Sequence, residues 1–537
     1  MKPTIAPSAH PDRAGYGLRL LEIVLFLAGL ALILRYQTLL LHVQEWGDEA
    51  ETIVTARLML AGTQLFSEIV NHHGPLTFVP GVLVEALGGH SIVHHRLTTM
   101  LLQGLSLLAV WQCPLWRTVS IQRAYAVAFG AAMVLLLPEI YGHTYIYQAM
   151  ASAMLVIALA QCVLPAILMP NDHKAWRVWL GHFLLTCLPF LAINYLPASA
   201  LLIAASTRRD QLASSALAIS AAVVLNLAFV HAMGSLPGYA AIHFYMNSQI
   251  LPHYNGGQMG LKLIPFAIGN AFSGPTYIAC TLIIAASVIW SAWQEKTWPW
   301  RSVLVGVALG SFLMRGTRVH GLPYLYAMLT MMVVLLGSIK LNGAWARVIG
   351  IAVMLPVLYK ISLFTPASRE ALTADATPVS SEFSRLAKLV TQPNDRILAY
   401  SFQNMAYVLA DRLPSSGQFF YFPWQADYEA HPVLQIKLDA CGDLRRAQPK
   451  VVMAQREMIW DQFPWSTYGH CIDQALSQGY VQWPGKPYFL RKDIVTLESD
   501  GSVSVPVTTA SETAPAGCVF RISREGVAHA PPGCPSP

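Results

Sequence analysis

The sequence predicts a polytopic helical membrane protein followed by a small extracytoplasmic α/β domain. Three observations predict it. Apolar runs near twenty residues recur from about position 18 to about position 364, and only helices satisfy every backbone group within one segment in lipid. Charged residues make up 12% of the 537 positions, about half the share usual in a soluble domain, and the mean hydropathy is +0.45. Beyond Phe364 the composition turns polar. The net charge of +6 is thinly spread and has no basic tract interleaved with aromatics, so nucleic-acid binding is excluded as a role.

Taken in order, residues 1–17 form a polar cytoplasmic N-terminus, and the first span covers roughly 18–41 without a cleavage site for a signal peptidase. A polar loop, 42–74, follows. Within it Ile53, Ala56 and Leu60 recur at helical spacing, which predicts a short helix lying along the membrane surface and ended by Ala61-Gly62. A second, short span runs from Pro75 to about Gly88, and a third from His94 to about Leu115. Further spans are expected near 124–138, 147–169, 178–205, 211–233, 261–290, 302–314, 322–339 and 344–364, about eleven in all. An odd number places the C-terminus outside. Arg208, Arg209, Lys296, Arg301 and Lys340 then fall on the cytoplasmic side, as the positive-inside rule requires. Arg117, Arg123, Lys174 and Arg177 fall on the wrong side, and one re-entrant or half-span element between 90 and 200 would change the local orientation.

Residues 365–498 read as the outer α/β domain, with strands at Arg396–Tyr400 and Lys450–Met453 and a helix at Glu382–Val390. Residues 499–537 read as a loosely ordered tail. Cys441, Cys471, Cys518 and Cys534 lie in this polar region and allow three full pairings. Cys113, Cys162, Cys187 and Cys280 lie in or beside apolar runs and read as packing residues.

The chemistry concentrates in the loop after the first span. Asp48 and Glu49, with Glu51 close by, suit a general base with a neighbour that orients substrate or holds a divalent cation. The same residues also suit a helix N-terminus. His72 and His73 offer a phosphate contact or one metal ligand. Arg315, Arg318 and His320 at a late span end suit phosphate oxygens, or interfacial snorkelling. His243, Asn247 and Tyr254, in a polar stretch that also holds His253, suit an acceptor site. Glu85, Glu139 and His143 are polar groups in or near spans.

The order of Trp46-Gly47-Asp48-Glu49-Ala50, then Ala56-Arg57-Leu58-Met59-Leu60-Ala61-Gly62, then Asn71-His72-His73-Gly74-Pro75-Leu76, resembles the GT-C superfamily of membrane glycosyltransferases. It is similar to the bacterial branch of protein mannosyltransferases and lipid A aminoarabinose transferases. Arg318-Val319-His320-Gly321-Leu322-Pro323-Tyr324 resembles a late span end of the same proteins, and Tyr407–Pro414 with Pro449–Met453 resembles their outer domain. The resemblance implies a polyprenyl-phosphate sugar donor, inversion at the anomeric carbon, and an active site on the outer face of a bacterial inner membrane. It implies Asp48 as base with Glu49 beside it, and His73 at a metal or donor contact. It implies Arg315, Arg318 and His320 near the donor phosphate, where the residue reading adds His72, and an envelope lipid, glycan or protein as acceptor. Two departures stand out. Gly74 occupies the place of a phosphate-binding lysine, and Glu139 is the one nearby candidate for a second acid. A transporter, flippase or scaffold for lipid-linked glycans is the alternative reading, although no paired repeats support it.

Overall fold

The computed structural model describes residues 13–43, 45–172, 174–254, 260–295, 298–341, 343–363, 377–508, 517–535 and 537. Most of the expected N-terminal segment, and Asn255, Gly256, Gly257 and Lys296, lie outside the described residues. The chain divides into two compact units: Met1–Gln44, Arg96–Val223 and Leu263–Ala376 form the first, and Glu45–His95, Val224–Lys262 and Thr377–Pro537 the second.

The first unit is helical. Among the described residues six helices are long and apolar enough to cross a membrane: Tyr16–Leu40, Tyr147–Leu168, Arg209–Met233, Pro275–Gln294, Arg318–Gly337 and Gly343–Ser362. Helix α1 (Arg13–Leu40) packs on Val119–Leu135 and Gly343–Ser362. Phe26, Ala124, Val127, Met354 and Leu358 form one layer of that seam, and Ile33, Ala131, Val134 and Ile361 the next. Gly29 lies against Val127 and Gly130 against Ile33; small residues let apolar helices approach where lipid gives no hydrophobic drive. Glu22, buried on α1, accepts from Arg123 Nη1 at 2.9 Å and from Ser120 Oγ at 3.0 Å, which satisfies a charge otherwise costly to bury.

Two expected spans are built differently. The segment from Pro75 forms a three-residue turn and then a helix of 8 residues, Val79–Ala86. At 1.5 Å per residue even the whole of Pro75–Ala86 reaches only about 18 Å, short of the ~30 Å hydrocarbon layer. It belongs to the second unit with the loops on either side. The run expected to cross once at 178–205 is two helices, Ala175–Cys187 and Leu196–Ser206, broken at Leu188-Pro189 and restarted at Pro197. Proline removes an amide and ends a helix, and it suits a first turn. The two helices fold back on each other, with His182 Nε2 2.9 Å from Ser206 Oγ.

These changes regroup the connections. Ser214 Oγ donates to the Ala175 carbonyl at 3.2 Å, Arg301 Nη2 donates to the Thr207 carbonyl at 3.2 Å, and Arg208 donates to the Pro170 carbonyl. Gly337 lies on the Leu115 backbone and Gly350 on that of Ser120. One end of the unit therefore collects the connections around 170–175, 207–214 and 301. Lys174 and Arg177, which violated the charge rule in the simple alternation, share that end with Arg208, Arg209 and Arg301, which obeyed it.

The second unit assembles around helix α2 (Gly47–Leu60), flanked by α3 (Val79–Ala86) and the start of α4 (Ile92–Trp111). Every residue of α2 from Glu49 to Met59 is buried. The expected surface helix is thus a buried one. Its polar side chains face protein rather than headgroups, as in a helix covered on all sides.

The C-terminal part holds two sheets. Strands β1 (Leu398–Tyr400), β2 (Val451–Ala454), β3 (Tyr480–Gln482) and β4 (Tyr488–Arg491) run in the order β1-β2-β4-β3, with β1 parallel to β2 and the other pairs antiparallel. Ser381 caps the helix Glu382–Val390 through a bond from Ser384 N, the usual way an orphan first-turn amide is met. Strands β5 (Thr496–Leu497), β6 (Val503–Pro506), β7 (Val519–Ile522) and β8 (Ala528–His529) form an antiparallel meander in sequence order. The expected loose tail is therefore folded over its described residues: Val503, Val505, Phe520 and Ile522 are buried, and their alternation is the period of a strand with one covered face. Disulfides join Cys441 to Cys471 and Cys518 to Cys534. The four remaining cysteines lie outside these disulfides and are buried.

Candidate active site

In the second unit, Trp46 has extended backbone (φ −112°) and α2 begins at Gly47. A Cβ at Gly47 would meet the Phe402 ring at 2.6 Å, so glycine there admits the ring. Asp48 and Glu49 occupy the first turn, where the helix dipole favours negative charge. Their exposures differ. Asp48 is half-buried, whereas Glu49 and Glu51 are buried at 0% and 1%. Burial, and then the charge of Asp48, push the Glu51 carboxyl well above the ordinary range, while a hydrogen bond with Asn71 works the other way.

The strand of loop opposite is held by side chains. Asn71 Nδ2 donates to Thr55 Oγ1 at 3.0 Å and its Oδ1 accepts from the His73 amide at 3.0 Å. His73 Nδ1 lies 3.6 Å from Glu51 Oε1. His243 Nδ1 contacts the His72 carbonyl at 3.0 Å and Asn247 Nδ2 donates to the same oxygen at 2.8 Å. The His243 ring stacks on Tyr239 at 5.0 Å. His243 and Asn247 therefore brace the His72–His73 loop. Tyr254 lies elsewhere in the unit, its hydroxyl 3.3 Å from Asp427 Oδ2 and its ring on Trp424 and Phe463. Burial and then the Asp427 charge push its hydroxyl up to about 12.

Behind the carboxylates lies an ion network. Arg57 Nε donates to Glu85 Oε1 at 2.9 Å, His90 Nδ1 is 2.6 Å from Glu85 Oε2, His95 Nε2 is 3.3 Å from Oε1, and Arg57 Nη1 reaches Asp411 at 3.4 Å. It fixes the far end of the helix that carries Asp48. Among the described residues no group of three or more His, Cys, Asp or Glu side chains could hold a metal ion. His73 and Glu51 supply two donors, fewer than the three side chains of such a group.

In the first unit, Arg315 Nη1 donates to the Tyr147 hydroxyl at 2.9 Å. Arg318 is exposed and has positive φ (55°), and His320 Nδ1 is 3.5 Å from Gln148 Nε2. Glu139 is exposed in the turn Leu137–Ile140. Sequence reasoning gave Arg57, Asn71 and Glu51 no specific role. The signal for Glu51 was its i+3 spacing from Asp48, which puts both on neighbouring positions of one helix face.

No family model and no curated protein matches the sequence. Solved structures do match. ArnT from Cupriavidus metallidurans, bound to undecaprenyl phosphate, aligns with a TM-score of 0.53 at 12% identity over 87% of this chain and 97% of that one. The archaeal oligosaccharyltransferase AglB from Archaeoglobus fulgidus, in complex with an inhibitory peptide and a dolichol-phosphate, aligns with a TM-score of 0.42 at 10% identity over 93% of this chain and 77% of that one. The likeness to ArnT, over 87% of this chain and 97% of that one, shows that this protein shares the fold of ArnT.

Proposed function

We propose that the protein is an inverting glycosyltransferase of a bacterial inner membrane. It moves a sugar from a polyprenyl-phosphate donor to an envelope lipid, glycan or protein on the extracytoplasmic face. The observation that carries the reading is the carboxylate at the head of α2. Asp48 is the half-exposed acid of its turn, Glu49 and Glu51 are buried beside it, and a buried ion network holds the helix. The ArnT fold and the undecaprenyl phosphate bound to ArnT support a lipid-phosphate donor here.

The acceptor hydroxyl oxygen attacks the anomeric carbon as Asp48 takes its proton. The bond from that carbon to the phosphate oxygen breaks, its electron pair leaves with the lipid phosphate, and the configuration inverts. Arg315, Arg318, His320 and His72 are assigned to the donor phosphate, where cations stabilise the charge that develops on the leaving group. Glu49 is assigned to keep the first turn acidic. Tyr254 is assigned to the acceptor, and His243 and Asn247 act on it through the loop they brace.

Orientation is supported by charge and by thiol chemistry. The basic end of the first unit fits the cytoplasmic side. The two disulfides of residues 441–534 fit an oxidising compartment, which supports reading the C-terminal part as extracytoplasmic.

The test compares envelope glycolipids and glycans by mass spectrometry in cells carrying wild type, Asp48→Asn or no copy. The expected result is that Asp48→Asn inserts normally and leaves the same sugar missing as the deletion. Full transfer by Asp48→Asn refutes the assignment. No change in any glycan on deletion favours a transporter, flippase or scaffold.

A further inference from the structure

The basic end of the first unit has more structure than a charge count. The start of helix Ala175–Cys187 brings Lys174 and Arg177, the turn before helix Leu212–Met233 brings Arg208 and Arg209, and the start of helix Trp300–Ser311 brings Arg301. The bonds from Ser214 to Ala175, from Arg301 to Thr207 and from Arg208 to Pro170 hold these three points together. Among the described side chains the acids facing this cluster are spoken for: Asp210 pairs with Arg208 at 3.1 Å, and Glu295 accepts from Ser302 N at 3.0 Å. Lys174, Arg177, Arg209 and Arg301 have no acidic partner among the described residues. Arg177 Nε is buried without a hydrogen-bond partner.

Two further features point to the ligand. All three helices present N-termini here, and neither Lys174 nor Pro299 caps its helix with a side chain, so first-turn amides add to the positive field. The cations are also set among tryptophans. Arg177 lies over the Trp176 ring and Arg301 over the Trp300 ring, each 5.2 Å from the centroid. Trp176 and Trp298 are 53% and 77% exposed beside apolar helices. A soluble anion would need the cations alone. Cations next to outward-facing indoles match a molecule with a phosphate head and acyl tails.

We propose that this cluster is a binding site for the phosphate headgroup of anionic phospholipids, with Arg177, Arg209 and Arg301 as its ligands and Trp176 and Trp300 flanking the glycerol and upper acyl region. The site is independent of the transfer chemistry. Each basic residue near an anionic surface strengthens attachment about fivefold.

The experiment uses the purified full chain in detergent and native mass spectrometry, with dioleoyl phosphatidylglycerol and dioleoyl phosphatidylcholine as probes. Wild type is expected to retain phosphatidylglycerol in preference to phosphatidylcholine, and to release it as salt rises. Arg177→Gln/Arg209→Gln/Arg301→Gln should lose that preference by about tenfold or more, while Arg456→Gln in the C-terminal region keeps it. Equal retention of the two lipids by wild type overturns the proposal. So does inorganic phosphate displacing the lipid at equal concentration, which would mark a site for free phosphate. If the triple variant fails to fold, the wild-type salt dependence decides: retention unaffected by salt overturns the electrostatic assignment.

Discussion

Neutralising Glu85 tests the ion network that anchors α2. Glu85 is 4% exposed and Arg57 8% exposed, and the 2.9 Å bond between them is made away from water. Glu85→Gln keeps the side-chain size and removes the charge, leaving a buried guanidinium against a neutral amide. Breaking a buried pair by removing one partner costs about 3–5 kcal/mol. Asp411 offers no replacement: it is 3.4 Å from Arg57 and its side chain is 69% exposed, a geometry that contributes less than about 1 kcal/mol. For a unit of about 250 residues each kcal/mol moves Tm by about 2–4 °C. Glu85→Gln should therefore lower Tm by roughly 6 °C or more, and Asp411→Asn by less than about 4 °C. Arg57→Met/Glu85→Leu removes both charges and should recover much of the loss, since apolar replacements of a buried pair are often near neutral. The assay is thermal unfolding of the detergent-purified protein followed by tryptophan fluorescence. Equal shifts for Glu85→Gln and Asp411→Asn, or a double variant no better than the single, would refute the reasoning.

Other consequences follow from the same geometry. Glu51 carries a pKa raised in the folded state, so the folded form holds its proton where the unfolded chain has lost it, and stability falls as pH rises above the unfolded value of about 4.5. Glu51→Gln should be more stable than wild type at pH 8, with the gap closing toward pH 4; a gap that widens as pH falls contradicts the shift. Gly47→Ala pushes a methyl into the Phe402 ring and should cost about 1–3 kcal/mol, and Gly47→Ala/Phe402→Leu should regain part of it in the same unfolding assay. Cys441 and Cys471 are 30 residues apart, so Cys441→Ser/Cys471→Ser should lose about 3–4 kcal/mol through the freer unfolded chain; unchanged unfolding in reductant would argue against that bond as a stabiliser.

Much of the architecture was legible because apolar runs and caps are local signals. The helix over Thr52–Leu60 announced itself by spacing and by Gly62, and strands β1 and β2 by short apolar runs. What escaped were features set by distant partners. Leu188-Pro189 looks like any proline in an apolar run until the helix folds back and Ser206 meets His182. The run after Pro75 has the composition of a span and lacks the length. Burial of α2 could not be read from its own residues, because Phe402 and Asp411 lie hundreds of positions away. At the candidate site the acids were visible as charge in a greasy chain. Their division into one half-exposed carboxylate and two buried ones depends on partners outside the helix, such as Asn71 and His73 at Glu51.

The second unit is stitched from three segments, Glu45–His95, Val224–Lys262 and Thr377–Pro537, and this bears on how the protein is made. The ring that sits at Gly47 comes from Phe402, and the chain at Glu68 is closed by Gly417. A ribosome working at 5–20 residues per second needs roughly 15–55 s to pass from His95 to Thr377. Throughout that interval α2 has emerged without the segment that covers it. Membrane insertion of the first unit can proceed span by span, but the acidic helix waits for the last third of the chain. A truncation anywhere before residue 420 should therefore yield an inserted protein with an open, protease-sensitive loop at Asp48.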